Sequence, residues 1–168
     1  MMERVLSWTF GLMLAALLFA VGIQKFVGLD PNPVFGLIEA RSGIGVFEPG
    51  LRYVTGVLEM IAVILVLWPA TRARGAQLGL LVALGAIAFH LSPWLGIQLP
   101  RLPELSAALA QGRTAAEIAA MNLPTDKGAM FLLAIAIAAV AVASIFVERA
   151  KAKADSAPKT RRPMGAFA

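Results

Sequence analysis

Four stretches of the chain are almost continuously apolar: residues 5–27, 51–67, 76–91 and 129–147. A bilayer-spanning helix takes about 20 such residues, range roughly 17–25. The first and fourth stretches reach that length alone, and the second and third reach it with their flanks. The pattern predicts an all-α fold, a four-transmembrane-helix bundle with short extra helices in the two outer loops. One membrane domain then covers 1–149, and a basic, disordered cytoplasmic tail covers 150–168.

Helix breakers place the boundaries. Gly28–Leu29–Asp30–Pro31–Asn32–Pro33 ends the first span, and Gly43, Gly45, Pro49 and Gly50 lead into the second. Between them, residues 34–41 are amphipathic and read as a short helix at the outer interface or as an ordered loop. Trp68–Pro69 stops the second span, and the link 70–74 is so short that spans two and three form an antiparallel hairpin. Gly75, Gly79, Ala83 and Gly85 give the third span a small-residue stripe, for packing within the chain or against a second copy. The segment 95–127 carries a helical pattern over 102–111 and a capping box at Thr114–Glu117, so it predicts an external helical layer.

Composition supports the bilayer as solvent. Hydrophobic residues make up 59% of the 168 and charged residues 15%, against about 45–50% and about 25% in soluble domains. There is no cysteine, which excludes disulfide relays, thiolate metal sites and c-type haem attachment. Net charge is +5. Arg4, Arg72, Arg74, Arg149, Lys151, Lys153, Lys159, Arg161 and Arg162 fall on one side, opposed only by Glu3, Glu148 and Asp155, whereas the other side is balanced. The positive-inside rule then puts both termini in the cytoplasm. The tail reads as a topology determinant with loose anionic-lipid contact, with no nucleic-acid partner. The first span, with Gln24 and Lys25 embedded, reads as an uncleaved anchor rather than a signal peptide.

Glu59 interrupts the second span. A carboxylate there costs roughly 2.5–3.5 kcal/mol on insertion scales, so it needs a partner or a task. At 1.5 Å per residue Glu59 lies about 10 Å below the start of its helix. Gln24 and Lys25 come near the outer end of the first span, Arg52 starts the second, and His90, the only histidine, ends the third. Gln24, Lys25, Arg52, Glu59 and His90 therefore converge on the outer half of the bundle. Two readings stay open. The cluster is a buried ion pair holding helices together, or it lines a pocket for a quinone-like headgroup. In the pocket, His90 and Lys25 would hydrogen-bond carbonyl oxygens and Glu59 would handle protons. One histidine and one intramembrane carboxylate leave a haem or metal site short of ligands, so no metal site is expected. Ser7 and Ser144 are expected to bond their own helix carbonyls.

The run Gly22–Ile23–Gln24–Lys25–Phe26, the run Gly56–Val57–Leu58–Glu59 and a third span ending near His90 resemble the DoxX family over residues 5–147. The family's Gly-x-x-Lys would map to Lys25 and its Gly-x-x-Glu to Gly56 and Glu59. The 95–127 insertion departs from the family's compact pattern. The resemblance implies a bacterial four-helix membrane protein. Some members resemble the small membrane subunits of thiosulfate:quinone oxidoreductase, whereas others accompany oxidoreductases or have no assigned activity. The expectation that follows is a redox-associated membrane subunit with a quinone-type pocket and a membrane oxidoreductase as partner. The alternative is a non-catalytic accessory or scaffold subunit of a larger membrane complex. In that case the small-residue helix faces and the 95–127 layer would serve docking, and the Glu/Lys/His cluster would be structural.

Overall fold

In lipid a backbone can satisfy its N–H and C=O groups only internally, so uninterrupted apolar runs become helices. The computed structural model describes residues 2–156. Its long helices are α1 (Met2–Val27), α3 (Arg52–Leu67), α4 (Arg72–His90) and α7 (Ala129–Ser156). An irregular turn, Phe47–Leu51, extends the second apolar run to 21 residues; the other three measure 26, 19 and 28. Each is long and apolar enough to cross a membrane. Their outward faces carry exposed Trp8, Leu12, Val54, Ile64, Leu81, Leu132 and Phe146. Apolar surface this extensive is unstable against water and natural against acyl chains. The chain is an integral membrane protein with four spans.

The bundle is square: α1 packs on α3 and α7, α4 packs on the same two, and α1 and α4 lie across the diagonal. Its core is built from Leu14, Leu18, Ala62, Val66, Ala76 and Ala141. The chain ends of α1 and α7 and the turn 68–71 share one face, the terminus face. The opposite face carries a cap made of α2 (Pro33–Ser42), α5 (Leu102–Ala110) and α6 (Ala115–Ala120). The cap has a core of its own around Leu37, Ile38, Leu95, Leu99, Leu105 and Ile118. Apart from one isolated bridge between Pro100 and Thr125, the described residues contain no β pairing.

Local chemistry explains the cap. Asn32 Oδ1 accepts from the amides of Val34 and Phe35 and starts α2, and Gly43 ends it in the left-handed conformation with φ of 72°. The segment 34–41 is thus helical rather than a loop. The Thr114–Glu117 capping box forms in both directions. Asp126 fastens the cap to α7, accepting from the amides of Leu99, Gly128 and Met130. The expected tail needs a correction: α7 runs on through Ser156, so residues 150–156 are helical rather than disordered. Alanine and lysine are good helix formers, and a span already nucleated extends readily into them. Residues 157–168, the rest of that tail, lie outside the described residues.

Candidate functional site

Two glycines bring the key pair together. A Cβ on Gly22 would lie 3.0 Å from Glu59 Cβ and 2.4 Å from Met60 Cε. On Gly56 it would lie 2.8 Å from the Phe26 ring and 3.2 Å from Lys25 Cβ. Each glycine therefore admits the opposite helix at backbone range. Positions i and i+3 share a helix face, so Gly22 presents Lys25 and Gly56 presents Glu59 across the same close crossing. The Gly-x-x-Lys and Gly-x-x-Glu spacings acquire a physical reason here.

Lys25 Nζ donates to Glu59 Oε1 at 2.8 Å and Oε2 at 2.6 Å, and to the Val21 carbonyl at 3.3 Å. The side chains are 14% and 5% exposed. An ammonium has three hydrogens and all three are engaged. Lys25 therefore serves Glu59, and the role of carbonyl donor to a ligand does not suit its geometry. His90, the last residue of α4, hydrogen-bonds the Gly96 carbonyl through Nδ1 at 2.8 Å. A carbonyl oxygen only accepts, so Nδ1 carries the proton and Nε2 of the neutral ring is an acceptor. The ring leans on Phe131, with centroids 5.5 Å apart.

Lys25, Glu59, His90 and Gln24 line one cavity of about 390 Å³. Its walls come from residues 18–25 of α1, 55–59 of α3, 81–90 of α4 and 130–137 of α7, and α2 closes it from the cap side. The lining is mostly aliphatic and aromatic. Volumes of about 300–1,000 Å³ with a few convergent polar groups are typical of small-molecule sites.

Arg52 is elsewhere. It is buried, but its Nη1 contacts Asp30 Oδ1 at 3.0 Å and Glu48 Oε1 at 2.7 Å, and its Nη2 donates to the Tyr53 hydroxyl at 2.7 Å. Arg52 ties the 28–32 loop and the turn before α3 together, outside the cavity wall. Of the five residues expected to converge, four share the cavity and Arg52 does not.

A second buried charge cluster on the terminus face escaped the sequence reading. Arg72, 1% exposed, is among the most deeply buried large side chains in the molecule. Its Nε donates to the Val66 carbonyl at 2.9 Å, capping the C-terminal end of α3. Its Nη1 donates to Ser7 Oγ at 2.5 Å and lies 3.5 Å from Glu148 Oε1, and the guanidinium stacks 4.2 Å from the Trp8 ring centroid. Ser7 Oγ in turn donates to Glu148. Ser7 thus bonds across helices, not to its own carbonyl, and buried Ser144 Oγ has no hydrogen-bond partner among the described residues. Gly11 makes room: a Cβ there would sit 2.8 Å from Arg72 Nε. The positive-inside reading counted Arg72 only among the cations of the cytoplasmic side. The available signal was Ser7 and Gly11, one turn apart on α1, together with Glu148, a carboxylate close behind the fourth apolar run.

No group of three or more His, Cys, Asp or Glu side chains able to hold a metal occurs among the described residues. No family model, curated protein or solved structure matches the chain. The DoxX resemblance therefore rests on its short motifs alone.

Proposed function

We propose that the chain is a DoxX-like, redox-associated membrane subunit that takes a quinone-type ligand into the cavity under the cap. The observation that carries this reading is the Lys25–Glu59 ion pair set into the wall of an otherwise apolar cavity of about 390 Å³. An ion pair in lipid is retained more readily where it has a task than where aliphatic packing would serve. A ring of quinone size with an isoprenoid or alkyl tail matches the space, the aliphatic walls and the few polar groups. Glu59, held by Lys25, and His90 are the groups that meet the ligand's oxygens. Electrons would come from a membrane oxidoreductase partner, because the chain's own residues offer no thiolate or multi-histidine site for a redox centre. By the charge asymmetry the terminus face is cytoplasmic and the cap lies outside, and the DoxX resemblance implies that the membrane is a bacterial inner membrane.

The accessory-subunit alternative relied on small-residue faces, and those are largely used within the chain. Gly75 meets the backbone of Leu65 and Val66, and Gly79 meets Leu18. Titration of a decyl-substituted para-benzoquinone and of its hydroquinone into the protein in lipid nanodiscs tests the ligand reading. Saturable binding of either form in the wild type, lost in the paired replacement Lys25→Met with Glu59→Leu and weakened in His90→Ala with the helical signal and extraction behaviour intact, supports it. A wild type that ignores both forms defeats it, and so do variants that lose binding only by unfolding.

A further inference from the structure

The hydrogen-bonding capacity left at the cavity wall has a direction. Lys25 has none to give, since its three hydrogens go to Glu59 and Val21. Glu59 is an acceptor with lone pairs beyond those Lys25 takes. In its neutral form the His90 ring engages its one N–H with Gly96, which leaves Nε2 as an acceptor without a protein partner among the described residues. Thr55 Oγ1 points its hydrogen at the Leu51 and Arg52 carbonyls, both at 2.9 Å, and likewise retains only acceptor capacity toward the cavity. The side-chain N–H groups that remain are the amides of exposed Gln24 and of Asn32, the latter in the loop beyond α1. Deep in the cavity, then, the wall accepts hydrogen bonds and does not donate them.

We propose that the cavity selects its ligand by a hydroxyl donor, favouring the reduced, quinol-type form over the quinone, with Glu59 and His90 Nε2 as the specificity-determining acceptors. The proposal rests on the quinone-type reading and sharpens it. A quinone presents carbonyl oxygens to an acceptor-lined wall, which leaves lone pair facing lone pair and desolvates both without a compensating bond. A quinol of the same shape supplies the missing hydrogens. The consequence is a bound couple poised toward its reduced form. Each tenfold preference for the quinol corresponds to about 30 mV for a two-electron couple.

The test compares four probes on the intact protein in nanodiscs: the decyl-substituted para-benzoquinone, its hydroquinone, and a redox-silent pair, decylphenol and its methyl ether. The chain has no cysteine, so reductant can keep the hydroquinone reduced without touching a disulfide. The expected result is that the hydroquinone binds at least about tenfold tighter than the quinone, and the phenol than its ether. Glu59→Gln introduces an N–H, so it should narrow the quinol preference by improving quinone binding. His90→Phe keeps the ring volume and should narrow it by weakening the quinol, and it provides the test if Glu59→Gln does not fold. Equal binding of both redox forms, or tighter binding of the quinone and the ether, overturns the selectivity and leaves the quinone-type reading standing. Failure of all four probes overturns that reading as well.

Discussion

Two of the buried ion pairs among the described residues, Arg72–Glu148 and Lys25–Glu59, lie at opposite ends of the bundle and are finished differently. On the terminus face, Arg72 and Glu148 are enclosed by protein: Ser7, Trp8, Val66 and the gap at Gly11 meet the guanidinium on several sides. On the cap side, Lys25 and Glu59 are clamped across the α1–α3 crossing but form one wall of a cavity. The first pair joins α1, α3, α4 and α7 as a clasp, with Arg72 Nη2 buried and without a hydrogen-bond partner among the described residues. The second leaves acceptor capacity facing open space. Burial, charge and spare hydrogen-bonding capacity do not separate a clasp from a site; the apolar cavity beside the second pair does.

The contrast can be broken most forcefully at Arg72. Arg72→Ala leaves Glu148 with Ser7 and Lys151 only and uncaps the Val66 carbonyl, and losing one partner of a buried pair typically costs about 3–5 kcal/mol. A large drop in thermal midpoint is expected in a detergent melt, with ligand affinity unchanged in whatever fraction stays folded. A midpoint near that of the wild type would show that the clasp is ornamental. Next in size is Gly56→Val, which forces branched carbons into the Phe26 ring and Lys25 Cβ. Overpacking costs about 1–3 kcal/mol, and the forced separation of α1 from α3 should also weaken ligand binding. Gly45→Val, where a Cβ has nothing within 4 Å and which lies outside the cavity lining, is the control.

A smaller effect is expected at Asp126, outside the spans. Burial raises its carboxyl pKa, but the amides of Met130, Gly128 and Leu99 outweigh this and hold it below the ordinary aspartate range. Its stabilising contribution is therefore full above the unfolded value of about 3.9 and is lost as pH falls through the lower folded value. Asp126→Asn should cost about 1 kcal/mol, in the range of a lost helix cap. It should also flatten the acid limb of hydrogen-exchange protection in the cap, with the Arg72 end unaffected. The smallest stability change belongs to the paired replacement Lys25→Met with Glu59→Leu. Replacing both members of a buried pair by apolar residues is often neutral or stabilising, so its melting midpoint should match the wild type even as ligand binding disappears.

Much of this was legible in the chain. Hydropathy gave the four spans, Thr114 and Glu117 gave the cap's capping box, and the helical rise alone brought Lys25, Glu59 and His90 to the outer half of the bundle. Other features were hidden for definite reasons. Rise fixes depth, but not where a long side chain at a helix start will turn: Arg52 swings to Asp30 and Glu48 because the loops fold over it. Arg72 resembles any basic turn residue until the tertiary fold brings Ser7, Gly11 and Glu148 around it. The roles within the cavity also needed coordinates, since only the Val21 and Gly96 carbonyls reveal that Lys25 is fully engaged and His90 is an acceptor.

The claim that the cap-side pair belongs to a ligand site, and the terminus-side pair to the scaffold, has one direct measurement. Thermal unfolding is followed in nanodiscs with and without the decyl-substituted hydroquinone at about a hundred times its dissociation constant. Linkage predicts about 2.7 kcal/mol of added stability for the wild type, and none for Lys25→Met with Glu59→Leu, whose unliganded midpoint stays where the wild type's is. No ligand shift in the wild type, or an equal shift in both proteins, would contradict the account.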